Sequence, residues 1–142
     1  MANIQGFNVQ NKTPIASHGE GGDEKVMRFQ VTMPVTANAD TIEFGFLPDY
    51  AVITGAEIIS TATASLDVGV TGDGDGIFDG ITLAANVPQR TALSTLMGKN
   101  LGMGPVKVTG LCTGAGTAGT LNLIVRFVVE EPGVGYPFVA AV

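Results

Sequence analysis

Apolar residues recur at every second position along most of the chain, the period of a strand with one buried and one exposed face. In segment 24–34, Met27, Phe29, Val31 and Met33 alternate with Arg28, Gln30 and Thr32, and Pro34 closes the run. Segment 41–46 sets Ile42, Phe44 and Phe46 against Thr41, Glu43 and Gly45, and Leu47-Pro48-Asp49-Tyr50 then carries turn chemistry. A third strand is expected over 51–61, with Gly55 marking a bulge or a close contact. A fourth covers 65–71, where Leu66, Val68 and Val70 face one way and Ser65, Asp67 and Thr71 the other. Residues 105–112 and 119–131 are expected to pair as a hairpin around a glycine-rich turn. Between these strands, 77–85 fits one short helical turn, and 87–104 reads as a long irregular loop.

The final strand pattern says most about function. Leu121, Leu123, Val125, Phe127 and Val129 form one face, as a core strand requires, but the other face carries Ile124 and Val128 beside Asn122, Arg126 and Glu130. Apolar residues on both sides imply a cover, supplied either by the chain's own tail (133–142) or by another subunit, and Ile124 and Val128 are the candidate assembly contacts. The first 23 residues are polar, with Ile4, Phe7, Val9 and Ile15 as spaced apolar points. They read as an extended arm that either gains order on a partner or stays disordered. Phe7 and Val9 are its candidate contacts. The expected organisation is therefore an arm (1–23) and one β-sandwich domain (24–142) ending in an extended tail. The fold class is all-β, a β-sandwich of jelly-roll-like type.

Composition narrows the function. A chain of 142 residues is of single-domain size and needs no disulfide or metal to bury a core. Charged residues make up only 14%, against about 25% in typical domains, so much of the exterior is Thr, Ser, Asn, Gly and Ala. That surface suits contacts between proteins. A net charge of −6 with scattered basic residues excludes direct nucleic-acid binding as an expectation. No apolar run is long enough for a membrane span, no secretory leader is recognisable at the start, and the single Cys112 fits synthesis in a reducing cytoplasm.

Each motif that suggests chemistry has a plainer explanation. Gly114, Gly116 and Gly119 match G-x-G-x-x-G, but strand-like residues follow where a dinucleotide site needs a helix. Asp73, Asp75 and Asp79 in GDGDGIFDG are weak candidates for a calcium site; the EF-hand pattern fails at Phe78 and Ala84, and Asx-turns explain the aspartates. His18 lies in the polar arm, and Cys112 reads as a small core residue. Glu130 and Glu131 are neighbours in a strand and point to opposite faces. No catalytic residue, no metal and no cofactor is expected.

Segments 46–54 (FLPDYAVIT), 65–69 (SLDVG) and 72–80 (GDGDGIFDG), in this order and spacing, together with the Val-, Leu- and Phe-rich last strand, resemble small tailed-phage virion proteins of the head decoration (cement) type. The resemblance spans about residues 41–131. It implies a protein on the capsid exterior that binds the major capsid protein and cements neighbouring subunits; synthesis in the host cytoplasm and a homo-oligomer, taken as a trimer, are further expectations. It leaves open a head-fibre base or a tail component. The competing function is a carbohydrate- or receptor-binding module of a fibre or tail. Against it stands the absence of Trp and the presence of only Tyr50 and Tyr136 as tyrosines. A secreted surface or pilus-like subunit is a third reading, weakened by the lack of a leader.

Overall fold

The computed structural model describes residues 2–6, 24–90, 95–96 and 98–130. Nine strands follow one another: β1 (Asn3–Gln5), β2 (Lys25–Met33), β3 (Thr41–Leu47), β4 (Ala51–Ser60), β5 (Ala64–Val70), β6 (Asp73–Leu83), β7 (Gln89–Arg90), β8 (Val106–Cys112) and β9 (Gly119–Val129). They form a five-stranded sheet ordered β1-β3-β8-β5-β6 and a four-stranded sheet ordered β2-β9-β4-β7. The two sheets pack face to face as a β-sandwich, and the described residues contain no helix.

Alternation in the sequence becomes the core directly. Phe29, Val31 and Met33 of β2, Leu121, Leu123, Val125, Phe127 and Val129 of β9, and Ile53, Ala56 and Ile58 of β4 are buried from the four-stranded sheet. Ile42, Phe44 and Leu47 of β3, Val108 and Cys112 of β8, and Leu66, Val68 and Val70 of β5 meet them from the other. Phe29, Phe44, Phe78 and Phe127 are wholly enclosed. Around Gly55 the β4–β9 register shifts, so that Ile53 and Ala56 both face inward across a bulge.

Two expectations are corrected. Segments 105–112 and 119–131 do not form a hairpin: β8 lies in the five-stranded sheet and β9 in the four-stranded one. The glycine-rich segment between them crosses from sheet to sheet, held by paired backbone hydrogen bonds between Gly116 and Thr36. Alternation and a glycine linker look the same in a hairpin and in such a crossing, because both join two half-buried strands. Likewise, GDGDGIFDG and the following residues are neither a free loop nor a helical turn but strand β6, paired with β5. Register shifts between Leu66 and Val68, and again between Val68 and Val70, allow the consecutive residues Ile77 and Phe78 both to be buried, which breaks the period-two signal. Within 87–104, β7 adds two residues to the edge of β4.

At the start of the chain, Asn3–Gln5 pair in parallel with Thr41–Glu43 of β3, and Ile4 is buried against the core. Asp40 fastens this junction by accepting hydrogen bonds from the Ala2 amide and the Ala37 amide, both at 2.9 Å. These two amides hold its carboxyl below the usual carboxylate range.

The β5–β6 hairpin offers a clean test of packing. A Cβ on Gly69 would lie 2.0 Å from the Asp73 carbonyl oxygen, whereas one on Gly74 would meet nothing within 4 Å. Gly69→Ala is expected to cost at least about 1–3 kcal/mol, and Gly74→Ala to stay within about 0.5 kcal/mol of wild type. Denaturant unfolding of the two variants measures the difference.

Candidate assembly surface

The outer face of the four-stranded sheet is built by the alternate residues of β2, β9 and β4 that the core does not take. Register places Arg28 of β2, Ile124 of β9 and Glu57 of β4 in one row, and Glu57 pairs in turn with Arg90 of β7. The Arg90 guanidinium Nε stands 2.6 Å from the Glu57 carboxylate. Ile124 is thus half-buried between charged neighbours, and the tail (133–142) that the sequence offers as its cover lies outside the described residues. In the next row Arg126 lies between Val26 and Gly55. A Cβ on Gly55 would sit 4.0 Å from the Arg126 Nη1, so the guanidinium extends over β4 where that strand has no side chain.

Val128 lies opposite Val52, which is buried and forms a β-bridge with Asn100. Asn100 Nδ2 donates to the Glu130 carbonyl at 2.8 Å, closing the same end of the sheet. The Thr54 hydroxyl donates to the Glu24 carboxylate at 2.8 Å, linking the chain before β2 to β4 with β9 lying between them. Val26 is 60% exposed. Asn122, between Gln30 and Ile59, keeps its side-chain oxygen out of solvent with no hydrogen-bond partner. Ile124 and Val128 therefore share one outward face, as their spacing in the sequence predicts. Phe7 and Val9 lie outside the described residues, as does His18.

The three aspartates do not converge. Asp73 accepts a hydrogen bond from the Thr95 hydroxyl, and Asp75 has its pKa raised, first by a hydrogen bond with Asp73, then by burial and by the charge of Asp79. Gly80, next to Asp79, donates its amide to Asp67 at 2.7 Å. Among the described residues no three His, Cys, Asp or Glu side chains come close enough to hold a metal ion. Cys112 is buried, and that burial pushes its thiol pKa up, which leaves it a core residue and a poor nucleophile.

The comparisons with known proteins agree on architecture. No protein-family model and no curated protein matches the sequence. The structure superposes on a chain of the capsid of Ralstonia phage GP4 with a TM-score of 0.72 and 24% identity, covering 92% of this chain and 99% of that one. It also superposes on a chain of the cyanophage Pam1 capsid asymmetric unit with a TM-score of 0.58 and 21% identity, covering 81% of this chain and 91% of that one. The likeness is one of fold.

Sequence reading missed a polar cluster on the opposite face. Glu43 of β3 accepts from Lys107 Nζ of β8 at 2.6 Å, from Gln5 Nε2 of β1 at 2.7 Å and from Asn3 Nδ2 at 3.3 Å. One carboxylate ties three adjacent strands together. The cluster borders an open depression of about 440 Å³ lined also by Thr41, Thr71 and Leu111. A strand pattern assigns Glu43 to the exposed face but holds no information about its cross-strand partners, because these come from sequence positions about 40 and 64 residues away.

The hydrogen bond from Lys107, followed by that from Gln5, lowers the Glu43 pKa below 4.5. Its contribution to stability is accordingly full above pH 4.5 and lost as pH falls through the lower folded value. Glu43→Gln is expected to lose about 1 kcal/mol near neutral pH and to converge with wild type in acid. Unfolding curves for both proteins near pH 7 and at about pH 3 measure this; an equal gap at both pH values contradicts it.

Proposed function

We propose that the chain is a structural protein of a tailed-phage virion that binds the capsid exterior and cements neighbouring subunits of the major capsid protein. The observation that carries this reading is the extent of the match to the Ralstonia phage GP4 capsid chain. Nearly all of that chain is accounted for, so a domain of similar size stands as its own subunit in a capsid. The cyanophage Pam1 match, at 91% of that chain, supports the same reading. Strand order adds to it. The chain passes between sheets at nearly every connection, and the orders β3-β8-β5-β6 and β2-β9-β4-β7, with β1 added at one edge, support a jelly-roll-like reading of the sandwich.

Physical reasons favour cementing by such a domain. A sandwich with a self-contained core folds before it docks, so attachment does not carry the cost of ordering the whole chain. Individual contacts of modest area become collectively strong when symmetry repeats them over a shell. A homo-oligomer, with a trimer as the working stoichiometry, multiplies the contacts of each attachment. The segment 7–23, with Phe7 and Val9, supplies additional contacts by strand addition or groove binding on a neighbour. No metal, cofactor or catalytic residue enters this role.

Occupancy on purified particles, set against stability of the free domain, tests the reading. Ile124→Asp and Val128→Asp are expected to reduce occupancy by orders of magnitude at fixed concentration, because a carboxylate buried unpaired at an interface costs several kcal/mol. Phe7→Ser with Val9→Ser is expected to weaken attachment while leaving the thermal transition of the domain in place. Wild-type occupancy by both sets of variants overturns the assignment of these residues, and failure of the wild-type chain to bind any particle overturns the function.

A further inference from the structure

All three arginines of the chain, Arg28, Arg90 and Arg126, lie on the outer face of the four-stranded sheet, although the chain carries a net charge of −6. Arg90 is neutralised by Glu57. Arg28 and Arg126 have no ion pair or hydrogen bond among the described residues. They flank Ile124 and Val26 on the strip formed by β2 and β9. The other side of the sandwich has the opposite character: Asp67 on β5 and the exposed Asp79 on β6 face outward there, while its Lys107 is taken by Glu43.

We propose that the β2–β9–β4 face docks on a protein surface that presents carboxylates around a small apolar patch, with Arg28 and Arg126 as the recognising groups. The proposal rests on the capsid-attachment reading and adds which face meets the shell and what chemistry meets it. Guanidinium groups match carboxylates with paired N–H donors, and the half-buried Ile124 and the exposed Val26 supply apolar contact between them. Three strands about 4.8 Å apart and about nine residues long give roughly 400 Å². That is about half of what one partner contributes to a standard interface. A symmetric shell repeats a contact of this size many times, whereas a back-to-back pair of two such faces makes it once and brings Arg28 and Arg126 of both copies onto one interface. A nucleic-acid partner is disfavoured by the net charge of −6 and by a face that carries only two arginines outside the Glu57–Arg90 pair.

The test measures binding of the purified full chain to cognate capsids assembled without it, at low and at moderate salt. Wild type is expected to bind, and to bind more weakly as salt rises. Arg28→Glu with Arg126→Glu is expected to weaken binding by about tenfold or more, and Arg28→Gln with Arg126→Gln by less, both with an unchanged thermal midpoint. Asp67→Lys with Asp79→Lys, on the opposite face, is expected to bind as wild type does. If wild type binds and the arginine variants bind equally well, the docking face is wrong while the capsid reading stands. If wild type does not bind, the capsid reading itself fails. Loss of binding after nuclease treatment of the particles, or loss only in the Asp67 and Asp79 variant, also overturns the proposal, the latter by assigning docking to the acidic face. Arginine variants that alter only self-association of the free chain in sedimentation, and not particle binding, make a second copy the occupant and overturn it too.

Discussion

Strand β9 pairs along its length with β2 on one side and β4 on the other, and its five alternate residues from Leu121 to Val129 are all buried against the opposite sheet. Removing it would leave β2 and β4 as two separate edges with no shared core, so the four-stranded sheet depends on this one strand. The sandwich in turn depends on that sheet, because Phe44, Leu66 and Val108 of the other sheet are buried in the core the two sheets share. With every second residue of β9 committed to the core, the intervening residues are committed to the outside. Ile124, Arg126 and Val128 are displayed together as a consequence of where the core had to go.

Display on a rigid sheet bears on the proposed docking. A loop carrying the same residues would have to be ordered on binding, whereas the spacing of Arg28, Ile124 and Glu57 is fixed by backbone pairing before any partner arrives. Charge partition follows the same geometry. The two outer faces belong to different sheets and cannot compensate one another across the core, so a basic strip can persist on an acidic protein. Glu43, Lys107 and Gln5 serve the other sheet by closing its β1–β3–β8 edge.

Much of this was legible in the alternation of residues. The inward faces of β2, β5 and β9 and the outward display of Ile124 and Val128 follow from period-two spacing, and the bulge at Gly55 follows from a glycine within a strand. The crossing between β8 and β9 was not legible, because nothing local distinguishes a connection within one sheet from a connection between two. Strand β6 was obscured by its register shifts, which place Ile77 and Phe78 side by side in the core, and by glycines that ordinarily mark turns. The gathering of Arg28, Arg90 and Arg126 was equally hidden. They are far apart in sequence and meet only through the β2-β9-β4-β7 order, so a reading along the chain describes them as scattered.

The central claim is that this sandwich is an external capsid subunit seated by its four-stranded sheet. An image reconstruction of the intact particle at a resolution that separates the two sheets tests it most directly. The account predicts a two-layered density on the outside of the shell, with β2, β9 and β4 as the layer nearest the capsid and β5 and β6 facing solvent. Absence of the chain from the particle, or a density with β5 and β6 against the shell, would contradict it.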